Sequence, residues 1–143
     1  MTPPLHNRSY VLVLSALLAA FLLRVLAQLM QFYSDVAWLP PFEAWAAGGL
    51  PYPLLVGLQI IIITVAVDVI RKLARNALSP QRKWAIFFFA AGGLYFIAMA
   101  ARLVAGVTIL ADIPWFAASL PSAFHLVLAG FILTLGRYHW SNA

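Results

Sequence analysis

The chain has 143 residues, of which 64% are hydrophobic and 9% charged, and it carries a formal net charge of +5. So few charged residues do not cover the surface of a soluble domain, and the apolar content excludes a disordered chain and a soluble nucleic-acid-binding module. Because the sequence has no cysteine, disulfides, thiolate metal sites and thiol catalysis are also excluded. The class that remains is a multi-pass membrane protein.

Four apolar stretches are each long enough to cross a hydrocarbon core of about 30 Å, which takes about 20 helical residues. We predict transmembrane helices at about 10–32, 50–70, 84–110 and 113–135. Ser79 and Pro80 are expected to open the third helix as N-cap and first helical residue, and Asp112 and Pro114 the fourth. A tight turn between the last two helices would make them antiparallel neighbours. The expected fold is all-α, a four-transmembrane-helix bundle that forms one domain.

The positions of lysine and arginine predict the orientation of this bundle. They collect in the loop 71–83 and in the two tails: Arg8, Arg71, Lys72, Arg75, Arg82, Lys83 and Arg137. By the positive-inside rule, both termini and the basic loop are expected to be cytoplasmic, in an inner (plasma) membrane. Recognition of anionic lipid headgroups is the alternative role of the loop. Asp68 lies three and four residues before Arg71 and Lys72, and it is expected to pair with one of them.

The segment 33–49 is expected on the outer side and is rich in aromatic residues. Pro40 and Pro41 predict a short helical turn over 42–45, which Gly48 and Gly49 would end. We interpret the segment as an interfacial anchor within an aromatic belt. The alternative is that it lies as a lid over a cavity in the bundle.

Two arginines lie inside predicted helices, where a charged side chain costs roughly 2.5 to 3.5 kcal/mol. Arg24 and Arg102 are expected about 13 and 12 Å below the outer ends of the first and third helices. Because the positive-inside rule disfavours cations at that depth, the presence of each arginine there needs another explanation. Asp35 follows Arg24 after eleven residues and Asp112 follows Arg102 after ten, as two duplicated hairpins would produce. Whether this similarity is a duplication or a coincidence stays open.

Polar residues on all four helices are expected to face these arginines, and we call this set the polar seam. On the first helix Arg24, Gln28, Gln31 and Asp35 follow the spacing i, i+4, i+7, i+11 and share one face. Hydrogen bonds between helices are the alternative role of the glutamine and serine side chains. Our candidate ligand-binding residues are Arg24, Gln28, Gln59, Tyr95, Arg102, Ser122 and His125.

The two guanidinium groups stay charged, repel each other and need a counter-charge that the helices do not supply. Three sources remain open. The carboxylates of Asp35, Glu43 and Asp112 would have to fold down from the outer loops. An anionic or carbonyl-rich ligand would enter from the outer leaflet. An acidic residue would otherwise come from a partner subunit.

Enzymatic chemistry is poorly supported, because the sequence has no intramembrane carboxylate pair, catalytic triad, metal cluster or phosphate-binding glycine loop. Three hypotheses remain. In the first, the polar seam binds an amphipathic ligand with an anionic or carbonyl head, such as a lipid, quinone or organic acid. In the second, the chain is an accessory or assembly subunit of a larger membrane complex. In the third, His125 ligates a b-type haem, across a homodimer. No cofactor is assigned, and no nucleic-acid partner is expected.

Overall fold

The structure is a computed structural model that describes residues 5–45 and 50–143. All regular structure within these ranges is helical, which confirms the predicted all-α class. Four of the helices are long and apolar enough to cross a membrane, as predicted. The helices are α1 (Leu5–Tyr33), α2 (Phe42–Trp45), α3 (Tyr52–Ala74), α4 (Arg82–Val107), α5 (Pro114–Ala117) and α6 (Ser119–Asn142).

Prolines and an asparagine set the limits of α3. Its N-cap is Pro51 and Pro53 lies in its first turn, where the N–H that proline lacks would have no partner within the helix. The helix continues four residues beyond the predicted end at residue 70. The chain then turns at Asn76, whose φ of 54° lies in the left-handed region that asparagine tolerates. The side-chain amide of Asn7 donates to Asn76 Oδ1 at 2.9 Å, which joins this turn to the start of α1.

The predicted start of α4 is wrong by two residues. Ser79 and Pro80 remain outside the helix, and the N-cap is Gln81, whose backbone is extended and whose side chain makes no capping hydrogen bond. The backbone N–H of Gln81 donates to His139 Nδ1 at 3.1 Å. This contact with the far end of α6 holds the chain extended through Gln81, so tertiary structure overrides the local capping signal.

The connection between α4 and α6 is longer than the predicted tight turn. Pro114 occupies the first turn of a helix as expected, but that helix is the short α5, and its N-cap is Ile113 rather than Asp112. The chain leaves helical geometry at Ala118, with φ −71° and ψ 78°, before α6 begins. Pro121 consequently lies in the first turn of α6, where it breaks no hydrogen bond of the helix.

The long helices pack side by side in the order α3, α1, α6, α4, and the contact between α4 and α6 is the most extensive. Glycines permit this close approach. A Cβ atom on Gly92 would lie 2.9 Å from Ile132 Cγ2, and one on Gly136 would lie 3.1 Å from Phe89 Cδ1. The predicted neighbours α4 and α6 are therefore a tightly packed pair.

The two ends of the bundle differ. At the basic end, defined by the loop 71–83 and the end of α6, the Tyr138 hydroxyl donates to the carbonyl of Leu78 at 2.9 Å. The loop end is defined by residues 34–51 and 108–118. Between the ends, large apolar side chains remain exposed on α1, α3 and α4, among them Leu23, Ile60 and Leu94. Such a surface suits the hydrocarbon core of a membrane and not water.

Candidate functional site

The face of α1 that the spacing predicts is buried against the bundle. The exposed fraction is 8% for Arg24, 0% for Gln28 and 7% for Gln31, whereas Asp35 is exposed beyond the end of the helix. Gln31 Oε1 accepts from the N–H of Val36 at 3.1 Å, and its Nε2 donates to Asp35 Oδ1 at 3.4 Å. Gln31 and Asp35 therefore secure the exit from α1, and Arg24 and Gln28 are the members of this face that point into the bundle.

The partner of Arg24 is a main-chain carbonyl. Its Nη2 donates to the carbonyl oxygen of Trp45 at 2.9 Å, across the end of α1 and the outer segment. Trp45 is the last residue of α2, so its carbonyl oxygen lacks a partner within the helix and is free to accept. Within the described ranges the only side-chain ion pair is Lys72 with Asp68, at 2.7 Å, as predicted from their spacing. The loop carboxylates thus do not neutralise Arg24, and a neutral oxygen takes that place.

The outer segment folds into the bundle at this point. The Trp45 side chain is 5% exposed, its Nε1 donates to the carbonyl of Pro40 at 3.1 Å, and its ring centroid lies 6.5 Å from that of Phe124 on α6. Trp45 is therefore not a lipid-facing anchor, whereas Tyr33 and Trp38 are 78% and 79% exposed, as anchors would be. Gly48 and Gly49, which were expected to end the helical turn, lie outside the described residues.

Arg102 is also buried, at 5% exposure, and its Nη1 lies 4.0 Å from Met99 Sδ. It lies five residues before the end of α4, whereas Arg24 lies nine before the end of α1. At 1.5 Å per residue these offsets are about 8 and 14 Å, and the offset of Arg102 is shorter than expected because α4 ends at Val107, three residues before the predicted end.

Tyr95 and His125 join α4 to α6. The Tyr95 hydroxyl and His125 Nδ1 form a hydrogen bond, and the two rings meet edge to face with centroids 5.8 Å apart. Both side chains are partly buried. His125 is thus a hydrogen-bonded residue of the bundle interior. The other two histidines lie at the basic end, where His6 packs on Tyr10 and His139 accepts from Gln81.

Gln28 and Gln59 form a buried amide pair between α1 and α3. Gln59 Nε2 donates to Gln28 Oε1 at 3.5 Å, and the two side chains are 3% and 0% exposed. Gln28 Nε2 and Gln59 Oε1 are buried with no hydrogen-bond partner among the described residues. A buried polar atom without a partner costs about 1–3 kcal/mol. Ser122, by contrast, is fully buried and donates to the carbonyl of Ala118 at 3.0 Å, so its proton is already used.

A cavity of about 440 Å³ lies next to this polar layer, and sequence reasoning missed it. All four long helices line it, and Tyr95 is the one polar residue in its wall. It extends from Phe21 and Ile62 towards Val69 and Leu135 near the basic end. Hydropathy carries no signal for such a cavity, because its leucine, isoleucine, valine and phenylalanine walls match lipid-facing positions in composition.

The described residues contain no group of three or more side chains suited to hold a metal ion. No protein-family model, curated protein or solved structure matches this chain. Its own residues support a small multi-pass membrane protein with a half-open apolar cavity beside a buried polar layer.

Proposed function

We propose that this membrane protein binds an amphipathic ligand, with an apolar tail in the cavity and an anionic or carbonyl-bearing head in the polar seam. The observation that carries the proposal is the 440 Å³ cavity, whose walls are apolar except at Tyr95. This volume falls in the range of about 300–1,000 Å³ that small-molecule sites occupy. Lipids, quinones and organic acids with an apolar chain share the required chemistry.

The charge of the seam supports such a head. A guanidinium group does not lose its proton in a protein, and the carbonyl that meets Arg24 carries no formal charge. A negative or strongly polarised oxygen near Arg24 or Arg102 would be stabilised by the fixed positive charge of the guanidinium group. Tyr95, Gln28 and Gln59 would orient the head through hydrogen bonds, and Ser122 could only accept one, because its proton is donated to the carbonyl of Ala118.

We also propose the inner (plasma) membrane as the location, with both termini on the cytoplasmic side. The support is the concentration of lysine and arginine at the basic end and its scarcity at the loop end. With this orientation, the polar seam faces the outer leaflet and the cavity reaches towards the inner one.

Native mass spectrometry of the gently extracted protein tests the proposal. We expect a retained lipophilic molecule, and we expect Ala66→Phe to release it because Ala66 is buried in the cavity wall. Ile60→Phe is the matched control, since Ile60 is 58% exposed on the same helix and does not line the cavity. Arg24→Ala should also release the molecule, whereas Arg71→Ala at the exposed basic end should not. A retained mass that survives Ala66→Phe, or none in the parent protein, contradicts the proposal.

A second candidate is the role of accessory subunit in a larger membrane complex. One observation favours it: α3 packs chiefly against α1, and the cavity lies between α3 and the α4–α6 pair. A helix of a partner could occupy that position. The same mass spectra distinguish the candidates, because a subunit would retain a second protein chain and not a small molecule.

A further inference from the structure

The buried amide pair of Gln28 and Gln59 has hydrogen-bonding groups that the pair itself does not use. Each amide offers one donor group and one acceptor oxygen, and the single hydrogen bond between them uses one of each. One donor on Gln28 and one acceptor on Gln59 are left over among the described residues. Exchanging oxygen and nitrogen in both amides moves the free donor to Gln59 and the free acceptor to Gln28, so the pair still offers one of each.

Few chemical groups complete such a pair. A carbonyl or an ionised carboxylate accepts from the free donor but has no proton for the free acceptor. A hydroxyl does both, because its oxygen accepts while its proton is donated. Neither glutamine lines the cavity, but Gln59 lies about one helical turn from Ile62, which does.

We propose that Gln28 and Gln59 select a ligand whose head carries a hydroxyl group, such as a phenol, a quinol or an alcohol, on an apolar tail. This inference rests on the proposed function and adds a hydroxyl group to its anionic or carbonyl-bearing head. Arg24, one turn from Gln28 on the same face, then meets a second oxygen of the head. A single ordered water completes the pair equally well in hydrogen bonds, and the test below separates it from a ligand hydroxyl.

The test compares two probes with the same tail, 4-dodecylphenol and 4-dodecylanisole. The anisole has a methyl group in place of the hydroxyl proton, so it accepts but does not donate. Binding is measured as the rise in the unfolding temperature of the full-length protein in lauryldimethylamine oxide, a detergent whose head does not donate. One additional hydrogen bond of about 1 kcal/mol corresponds to a roughly fivefold difference in affinity, so we expect the phenol to bind at least fivefold tighter.

Gln59→Met should remove this preference, because the amide pair that would both donate to the hydroxyl and accept from it is broken. Gln81→Met is the matched control at the exposed basic end and should retain the preference. Dioleoylglycerol, which has one hydroxyl and two tails, serves as a third probe, and a larger shift with it identifies a bilayer lipid as the source of the hydroxyl.

Equal affinities for phenol and anisole in the parent protein overturn the inference and leave the proposed function standing, with water completing the amide pair. If neither probe shifts the unfolding temperature, the inference is likewise overturned, and the native mass spectra decide the proposed function separately. The comparison of probes needs no substitution, so it decides the matter even where Gln59→Met fails to fold.

Discussion

At the scale of single residues, the energetics of Arg24 are nearly balanced. Placing a charged side chain within a membrane helix costs roughly 2.5 to 3.5 kcal/mol on insertion scales. A hydrogen bond from a charged donor returns about 1.5–3 kcal/mol, and the structure provides one such bond, to the carbonyl of Trp45. This one hydrogen bond therefore roughly offsets the cost of inserting Arg24 into the membrane. A further acceptor from a ligand would bind to a guanidinium group that already has one partner.

The amide pair makes a prediction about stability. Replacing both Gln28 and Gln59 by leucine removes two buried polar atoms that lack partners among the described residues. We expect the free energy of unfolding of the ligand-free double variant to be about 1–3 kcal/mol higher than that of the parent protein. Thermal unfolding in lauryldimethylamine oxide measures this difference. Gln28→Leu alone should change stability far less, because it leaves Gln59 with two such atoms. A less stable double variant would contradict this account.

At the scale of elements, the α4–α6 pair depends on the absence of a side chain at one position. We expect Gly92→Ala to lower the free energy of unfolding by about 1–3 kcal/mol, because its Cβ would press on Ile132. Gly93→Ala is the control, since a Cβ there meets nothing within 4 Å. It should raise stability by about 0.5–1 kcal/mol through helix propensity. Equal effects of the two substitutions, measured by thermal unfolding, would contradict close packing at Gly92.

The elements also show what the sequence can predict. Hydropathy identified the four long helices because crossing a membrane requires only a sufficient apolar length. The inward face of α1 was predictable because Arg24 and Gln28 are one turn apart. The start of α4 was not, because the contact between Gln81 and His139 is distant in sequence. The burial of Trp45 was not predictable either, since an aromatic residue after two prolines has the same pattern in an anchor and in a buried cover.

At the scale of the whole molecule, the orientation is open to direct measurement. Because the chain has no cysteine, single cysteines can be introduced without background. We expect Asp112→Cys, exposed at the loop end, to react with a membrane-impermeant maleimide in intact spheroplasts. Ser141→Cys, exposed at the basic end, should react only after permeabilisation. The reverse pattern would place the termini on the outer side.

The oxygen that meets Arg24 belongs to the peptide backbone, so every amino acid at position 45 would present the same atom. A complete set of substitutions there would measure how well each side chain fits against Phe124, without ever depriving the cation of its acceptor. Inserting or deleting one residue between 34 and 44 would do the opposite, displacing the acceptor while preserving position 45. The length of the outer segment, more than its composition, keeps this buried charge satisfied.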